Sequence, residues 1–135
     1  METLDMYNTI GIKEHGVFNC YDYVILTTRL KCPCCYILLK QGDPFSDIDT
    51  ASEDDIDIPV HGGCTYFQKA ETFLSVVPIK PFLEPRVVIG WDYAHFKDYS
   101  PIVKEGKKWT LDELRDEVRQ AINYLVDLKG WRHYE

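Results

Sequence analysis

The chain has 135 residues, 45% of them hydrophobic and 13% aromatic, with a formal net charge of -7. This is the size and apolar content of one domain with one core, spanning residues 1–135, and it leaves too little chain for a second. No window of about eighteen apolar residues occurs and charge interrupts the first twenty, so neither a membrane span nor a secretory signal is expected, and the cytoplasm is.

Two strand-like runs come first, "YDYVILTTR" (residues 21–29) and "CYILLK" (35–40). The hairpin-length connection "LKCPC", with Pro33 in its middle, predicts an antiparallel pair. Five cysteines (Cys20, Cys32, Cys34, Cys35 and Cys64) are an odd number, and a reducing compartment argues against a disulfide framework. Cys32 and Cys35 have the Cys-x-x-Cys spacing of half a zinc site, but a second pair at matching spacing is missing. The competing reading is cysteine as a small hydrophobe at a strand end. A redox pair wants its first thiol at a helix N-terminus, whereas "CCYILLK" reads as strand.

The charge imbalance is local. Seven of the 22 carboxylates lie between Asp43 and Asp57 with no Lys or Arg among them, so the remainder balances at 15 acids against 15 bases. This acidic loop, 43–57, repels phosphate backbones, which argues against nucleic acid as a partner on this face. A calcium loop fails in register: counted from Asp47, Ala51 and Ser52 stand where an oxygen ligand and a glycine are needed. A solvated loop, or one that docks on a basic partner, remains.

Further strand-like runs are "CTYFQKA" (64–70), "FLSVVPI" (73–79) and "RVVIGW" (86–91). Pro78, Pro81 and Pro85 make "PIKPFLEP" an extended connection or an edge. The one clear helix covers about 110–128. Thr110 and Glu113 form a capping box, Trp109 and Leu114 are placed for a hydrophobic staple, and Leu111, Leu114, Val118, Ile122, Leu125 and Leu128 make one apolar stripe. Lys129 and Gly130 read as its end. Trp131 and Tyr134 then belong to a tail that folds back, or to a contact in a homo-oligomer. The expected fold is α+β: a small curved sheet of about five strands, antiparallel or mixed, packed against one C-terminal amphipathic helix.

Two motifs carry polar residues of catalytic type. In "PVHGGCTYF" (59–67), Gly62 and Gly63 permit a turn that presents His61 and nearby backbone N–H groups. In "GWDYAHFKDY", Asp92, His95 and Asp98 stand three apart and share a face if the chain turns after Trp91. With His61 they would form a two-His, two-carboxylate set suited to a divalent metal or to acid/base chemistry. The bland alternative is a hydrogen-bonded structural corner. Phosphate loops and nucleophile elbows have no counterpart here.

"VHGGCTYF" and "IGWDYAHFKD", followed by a Trp-Thr-led helix, resemble an uncharacterised family of small phage and prophage proteins. That family carries a His-Gly-Gly-aliphatic-Thr-aromatic motif and a Gly-aromatic-Asp-x-Ala-His-x-x-Asp motif. The resemblance covers roughly the second half of the chain and departs from the pattern at Cys64 and at Lys97, which replaces a glycine. It implies a phage-related origin, a host-cell cytoplasmic location and a shared corner built from His61, Gly62, Gly63, Asp92, His95 and Asp98, with no activity attached.

Two functions compete. One is a non-catalytic accessory or host-interaction protein whose acidic loop and His-Gly-Gly corner contact a protein, such as a basic host protein, or a small ligand. The other is a metal-dependent hydrolase or nucleotide-handling enzyme using His61, Asp92, His95 and Asp98. Structural zinc at Cys32 and Cys35 is compatible with either.

Overall fold

The computed structural model describes residues 11–27, 32–47, 56–93, 98 and 105–134, with residues 131–134 described by backbone alone. Five strands, β1 (Gly11–Phe18), β2 (Tyr21–Thr27), β3 (Pro33–Leu39), β4 (Tyr66–Lys69) and β5 (Val87–Asp92), form one open, curved, wholly antiparallel sheet in the order β1-β2-β3-β5-β4. Two helices accompany it, α1 (Ala70–Val76) and α2 (Leu111–Tyr134). The fold is α+β, with the C-terminal helix backing the sheet. Among the described residues no helix is long and apolar enough to cross a membrane.

The central strands are apolar at nearly every position because both faces are covered. On one face Ile25, Ile37, Ile89 and Trp91 pack under Leu114, Val118, Ala121, Ile122 and Leu125 of α2. On the other, Val24, Leu26, Leu38 and Val88 meet Ala70, Phe73 and Val77 of the α1 segment. Continuous runs such as "YVIL" and "YILL" therefore belong here to an antiparallel sheet, whereas a half-buried strand would alternate.

Three differences from the expected elements have clear causes. The run 73–79, expected as a strand, is mostly helix: Ala70, Phe73 and Val77 recur at helical spacing and are all buried, and this periodicity prevails over the β-propensity of Val and Phe. The fifth strand is instead β1, whose mixed sequence "GIKEHGVF" hides its nature because an edge strand buries little. It joins β2 through a two-residue turn in which Asn19 and Cys20 both have positive φ, 48° and 68°, as a type I′ hairpin requires. Finally, α2 runs past Gly130 to Tyr134. Gly130 is absent from the positive-φ glycines and continues the helix, so the backbone of the tail does not fold back. The start of α2 is as expected, with Thr110 N donating to Glu113 Oε1 at 3.0 Å and Glu113 N to Thr110 Oγ1 at 3.2 Å.

Both ends of the acidic loop are docked. Asp43 is 2% exposed and accepts from Lys129 Nζ at 2.9 Å and Lys40 N at 2.6 Å; burial raises its pKa, but these donors outweigh it and the net shift is downward. Ile56 and Ile58 are buried in the α2-side core on either side of exposed Asp57. Residues 48–55 lie outside the described set.

Arg115 of α2 clamps β1. Its Nε and Nη2 donate to the two oxygens of Glu14 at 2.8 and 2.6 Å, and Tyr23 adds a third bond. The guanidinium holds the Glu14 carboxyl down at about 2 against an ordinary 4.5, overcoming partial burial, which acts in the opposite direction. A pKa depressed in the folded state gives stability that is complete above about pH 4.5 and is lost as pH falls toward 2. Glu14→Gln should therefore cost about 1–2 kcal/mol at neutral pH, after allowance for solvent screening, and the gap to wild type should close in acid. Urea denaturation across a pH series measures this; a gap independent of pH would contradict it.

Candidate functional site

The turn that carries His61 is built by its neighbours. Val60 N donates to Ile58 O at 2.9 Å across Pro59, and Gly63 N donates to Val60 O at 3.0 Å, closing a β-turn with His61 and Gly62 at its centre. Gly62 has φ 73°, the left-handed value that the third position of a type II turn demands. Thr65 N then bonds Gly90 O at 2.9 Å and starts the β4–β5 ladder. The glycine of "IGWD" answers a different need. A Cβ at Gly90 would lie 2.4 Å from the Tyr36 ring and 2.8 Å from Cys35 O, so Gly90 is the gap into which Tyr36 packs.

The turn is held by Glu117, which the motifs did not single out. Its Oε1 accepts from His61 N at 3.1 Å, from Trp91 Nε1 at 3.0 Å and from the Tyr93 hydroxyl. Strand alternation brings Trp91 and Tyr93 to the α2 face together. Burial, followed by the neighbouring Cys35 and Glu117, drives the Tyr93 hydroxyl pKa far above its ordinary value, so Tyr93 stays a donor.

Above this lies a second layer. His61 stacks on Tyr93 with ring centroids 4.8 Å apart and an interplanar angle of 6°. Its Nε2 is 2.8 Å from Asp98 Oδ2 and donates to it, since an ionised carboxylate only accepts. The other oxygen of Asp98, Oδ1, takes Trp109 Nε1 at 2.9 Å. Trp109 packs against both His61 and Tyr93 at 5.0 Å, while Lys107 Nζ covers its ring at 4.0 Å and pairs with Glu113 at 2.8 Å. Asp98 is 3% exposed; the His61 side chain is 24% exposed.

Of the six residues proposed for the corner, His61, Gly62, Gly63 and Asp98 come together. Asp92 does not join them. It lies opposite Cys34 in the β3–β5 register, on the α1 face of the sheet, and accepts from Thr65 Oγ1 at 3.0 Å. Asp92 and Asp98, six residues apart, therefore do not share a helical face, because Asp92 still belongs to a strand. His95 and Lys97 lie outside the described residues.

Three of the five cysteines are core residues, while Cys64 is partly buried and Cys20 is exposed at the β1–β2 turn. None forms a disulfide, and Cys32, Cys34 and Cys35 are buried. Cys34 and Cys35 occupy opposite faces, and burial pushes the Cys34 thiol up to about 12 and that of Cys35 higher still, away from the thiolate that nucleophilic chemistry requires. Among the described residues, no group of three or more His, Cys, Asp or Glu side chains is placed to hold a metal ion.

No family model, curated protein or solved structure matches this chain.

Sequence spacing carried one overlooked sign of Glu117. It stands three residues after Leu114 and four before Ala121, inside the apolar stripe of α2, where a carboxylate needs donors. Glu117→Ala takes the acceptor from His61 N and the Tyr93 hydroxyl and leaves Trp91 Nε1 with the Tyr93 oxygen alone, and should cost about 3–5 kcal/mol, whereas Glu117→Gln retains an acceptor oxygen and should cost under about 1.5 kcal/mol. Chemical denaturation of the two variants separates these values; equal losses would show that the carboxamide oxygen does not replace the carboxylate.

Proposed function

We propose that the chain is a non-catalytic accessory protein of the phage type that binds a host protein of basic character through the His-Gly-Gly corner and the acidic stretch leading into it. The observation that carries this reading is that the polar atoms of the corner are bonded to one another. Asp98 has one oxygen on Trp109 and the other on His61, and Glu117 gathers His61 N, Trp91 and Tyr93 on a single oxygen. Such a cluster is a rigid mount for a turn, and a rigid turn loses little entropy when a partner docks. The acidic stretch reaches the corner because Ile56 and Ile58 anchor its end in the core and leave Asp57 exposed between them. Asp43 is buried against Lys129 and Lys40, but six further carboxylates follow it with no Lys or Arg in the sequence between them, which favours a basic protein surface and disfavours a phosphate backbone.

The second reading, a metal-dependent hydrolase or nucleotide-handling enzyme, has one observation in its favour: a carboxylate orients a partly exposed imidazole, His61 on Asp98. Against it stands Asp92, which belongs to the other face.

Two measurements on the purified full chain distinguish the readings. In calorimetric titration with Zn²⁺, Mn²⁺ and Mg²⁺, binding without catalysis expects no stoichiometric uptake that depends on His61. One-to-one uptake abolished in His61→Asn and in Asp98→Asn, together with metal-stimulated hydrolysis of a phosphodiester, would overturn it. For a partner captured from host extract and then reconstituted from purified components, neutralising Asp54, Asp55 and Asp57 to Asn should weaken binding about tenfold or more at low salt, and added salt should shrink that difference. An affinity unchanged by both treatments would exclude the acidic stretch from the contact.

A further inference from the structure

The two edges of the sheet differ. β4 is four residues long, ends in Gln68 and Lys69, and offers little to pair with. β1 is eight residues long, and among the described residues no strand lies on its outer side. A long open edge is a template for another strand unless it is blunted. Here a bulge between Ile12 and Glu14 blunts only its first residues.

The flank of β1 is apolar. In the β1–β2 register Ile12, His15 and Val17 lie opposite Leu26, Val24 and Asp22, which places all three on the face away from α2. Beside them the proline-bounded segment "PFLEP" presents Phe82 and Leu83. Asp22, 2% exposed, fixes that segment: its carboxylate accepts from Phe82 N at 3.0 Å, Leu83 N at 3.2 Å and His15 Nε2 at 3.0 Å. The Phe82 ring lies 5.6 Å from that of His15, yet Phe82 is 72% exposed. Val17 is 45% exposed, Leu83 38% and Ile12 37%. Four of the six exposed large hydrophobic side chains among the described residues thus share one flank, where buried Asp22 ties the Phe82–Leu83 segment to His15 of β1.

We propose that this flank is the interface of a two-fold homodimer, in which the β1 edges of two copies pair antiparallel into a continuous ten-stranded sheet and Phe82 of each copy covers Ile12 and Val17 of the other. Charge selects a second copy as the occupant. Across a two-fold axis each surface meets itself, so a net charge there would face its own like. The chain as a whole carries -7, but Gly11–Phe18 contains one Lys and one Glu, and residues 78–85 contain one Lys and one Glu. A neutral flank on an acidic chain fits self-association, while a basic partner would be drawn to residues 43–57.

Area agrees with this assignment. The exposed part of Phe82 amounts to about 150 Å², and the four side chains together form a patch of a few hundred Å², the size that marks an interaction site. The patch alone falls short of the roughly 800 Å² per partner of a stable interface. An eight-residue edge about 27 Å long supplies most of the rest, which points to a reversible dimer.

Sedimentation velocity on the full chain, from about 1 to about 300 μM, tests the proposal over the range where such interfaces dissociate. The mass should double with rising concentration, and amide exchange of Gly11–Phe18 should slow in step. Val17→Lys combined with Phe82→Ser, both at exposed positions, should remain monomeric throughout, with the melting temperature of dilute wild type unchanged. A wild type that stays monomeric at the highest concentration overturns the proposal and leaves the flank to another protein. A dimer that persists in the double variant also overturns it, by placing the contact elsewhere.

Discussion

One carboxylate holds the corner together. Glu117 projects from the apolar stripe of α2 toward Trp91, Tyr93 and the turn at His61, and supplies an acceptor to three donors, two of them on fully buried rings. A buried N–H or O–H without a partner costs about 1–3 kcal/mol, so removing this one acceptor would disturb the strand, the ring pair and the turn together. Where His61 sits, and hence its bond to Asp98, is set by an α2 side chain 56 residues away in sequence. The Gly62 turn determines the path of the chain, and Glu117 determines where that path lies.

Covering both faces of the sheet has a chemical consequence. Cys34 and Cys35, Tyr36, and the rings of Trp91 and Tyr93 are all enclosed, and burial keeps the two thiols protonated. Reactive side-chain types thus become packing material in the interior. What stays accessible is the rim: the turn at residues 60–63, the segment at 78–85 and the two strand edges. Exposed Asp57 lies beside the turn, and four exposed apolar side chains lie on the flank of β1.

The sequence made β2, β3 and β5 legible because runs such as "YVIL" and "VVIGW" have no reading but strand once Pro, Gly and Asp bound them, and the Thr110–Glu113 box marked the start of α2 to the residue. β1 was hidden because its neighbours bury only one of its edges, so its residues did not need to be apolar. α1 was misread because Val and Phe favour strands, although Ala70, Phe73 and Val77 already had helical spacing. At the corner, the glycine pair revealed the turn, and His61 with Asp98 were found by residue type. Asp92 was misplaced because three-residue spacing implies a shared face only in a helix, and Asp92 ends β5. Tyr93 was not singled out and Trp109 was read only as part of a hydrophobic staple, yet their polar ends bind the two carboxylates.

The register of α2 on the sheet rests on polar contacts spread along its length. An apolar stripe of Leu, Val and Ile tolerates sliding, because each side chain gives up one apolar neighbour for another. Its polar contacts tolerate none: Arg115 meets Glu14 of β1, Glu117 meets Trp91 and Tyr93, Asn123 meets Asn19 at the β1–β2 turn at 2.9 Å, and Lys129 meets Asp43 beyond β3. A slip of one helical turn, about 5.4 Å, would break all four, leaving Glu117 without its donors and Asp43 with Lys40 alone. The four contacts reach four separate parts of the sheet layer, so the helix also fixes β1, the hairpin tip and the start of the acidic loop relative to the corner. That spacing is what keeps residues 56–63 and the flank of β1 apart on the surface.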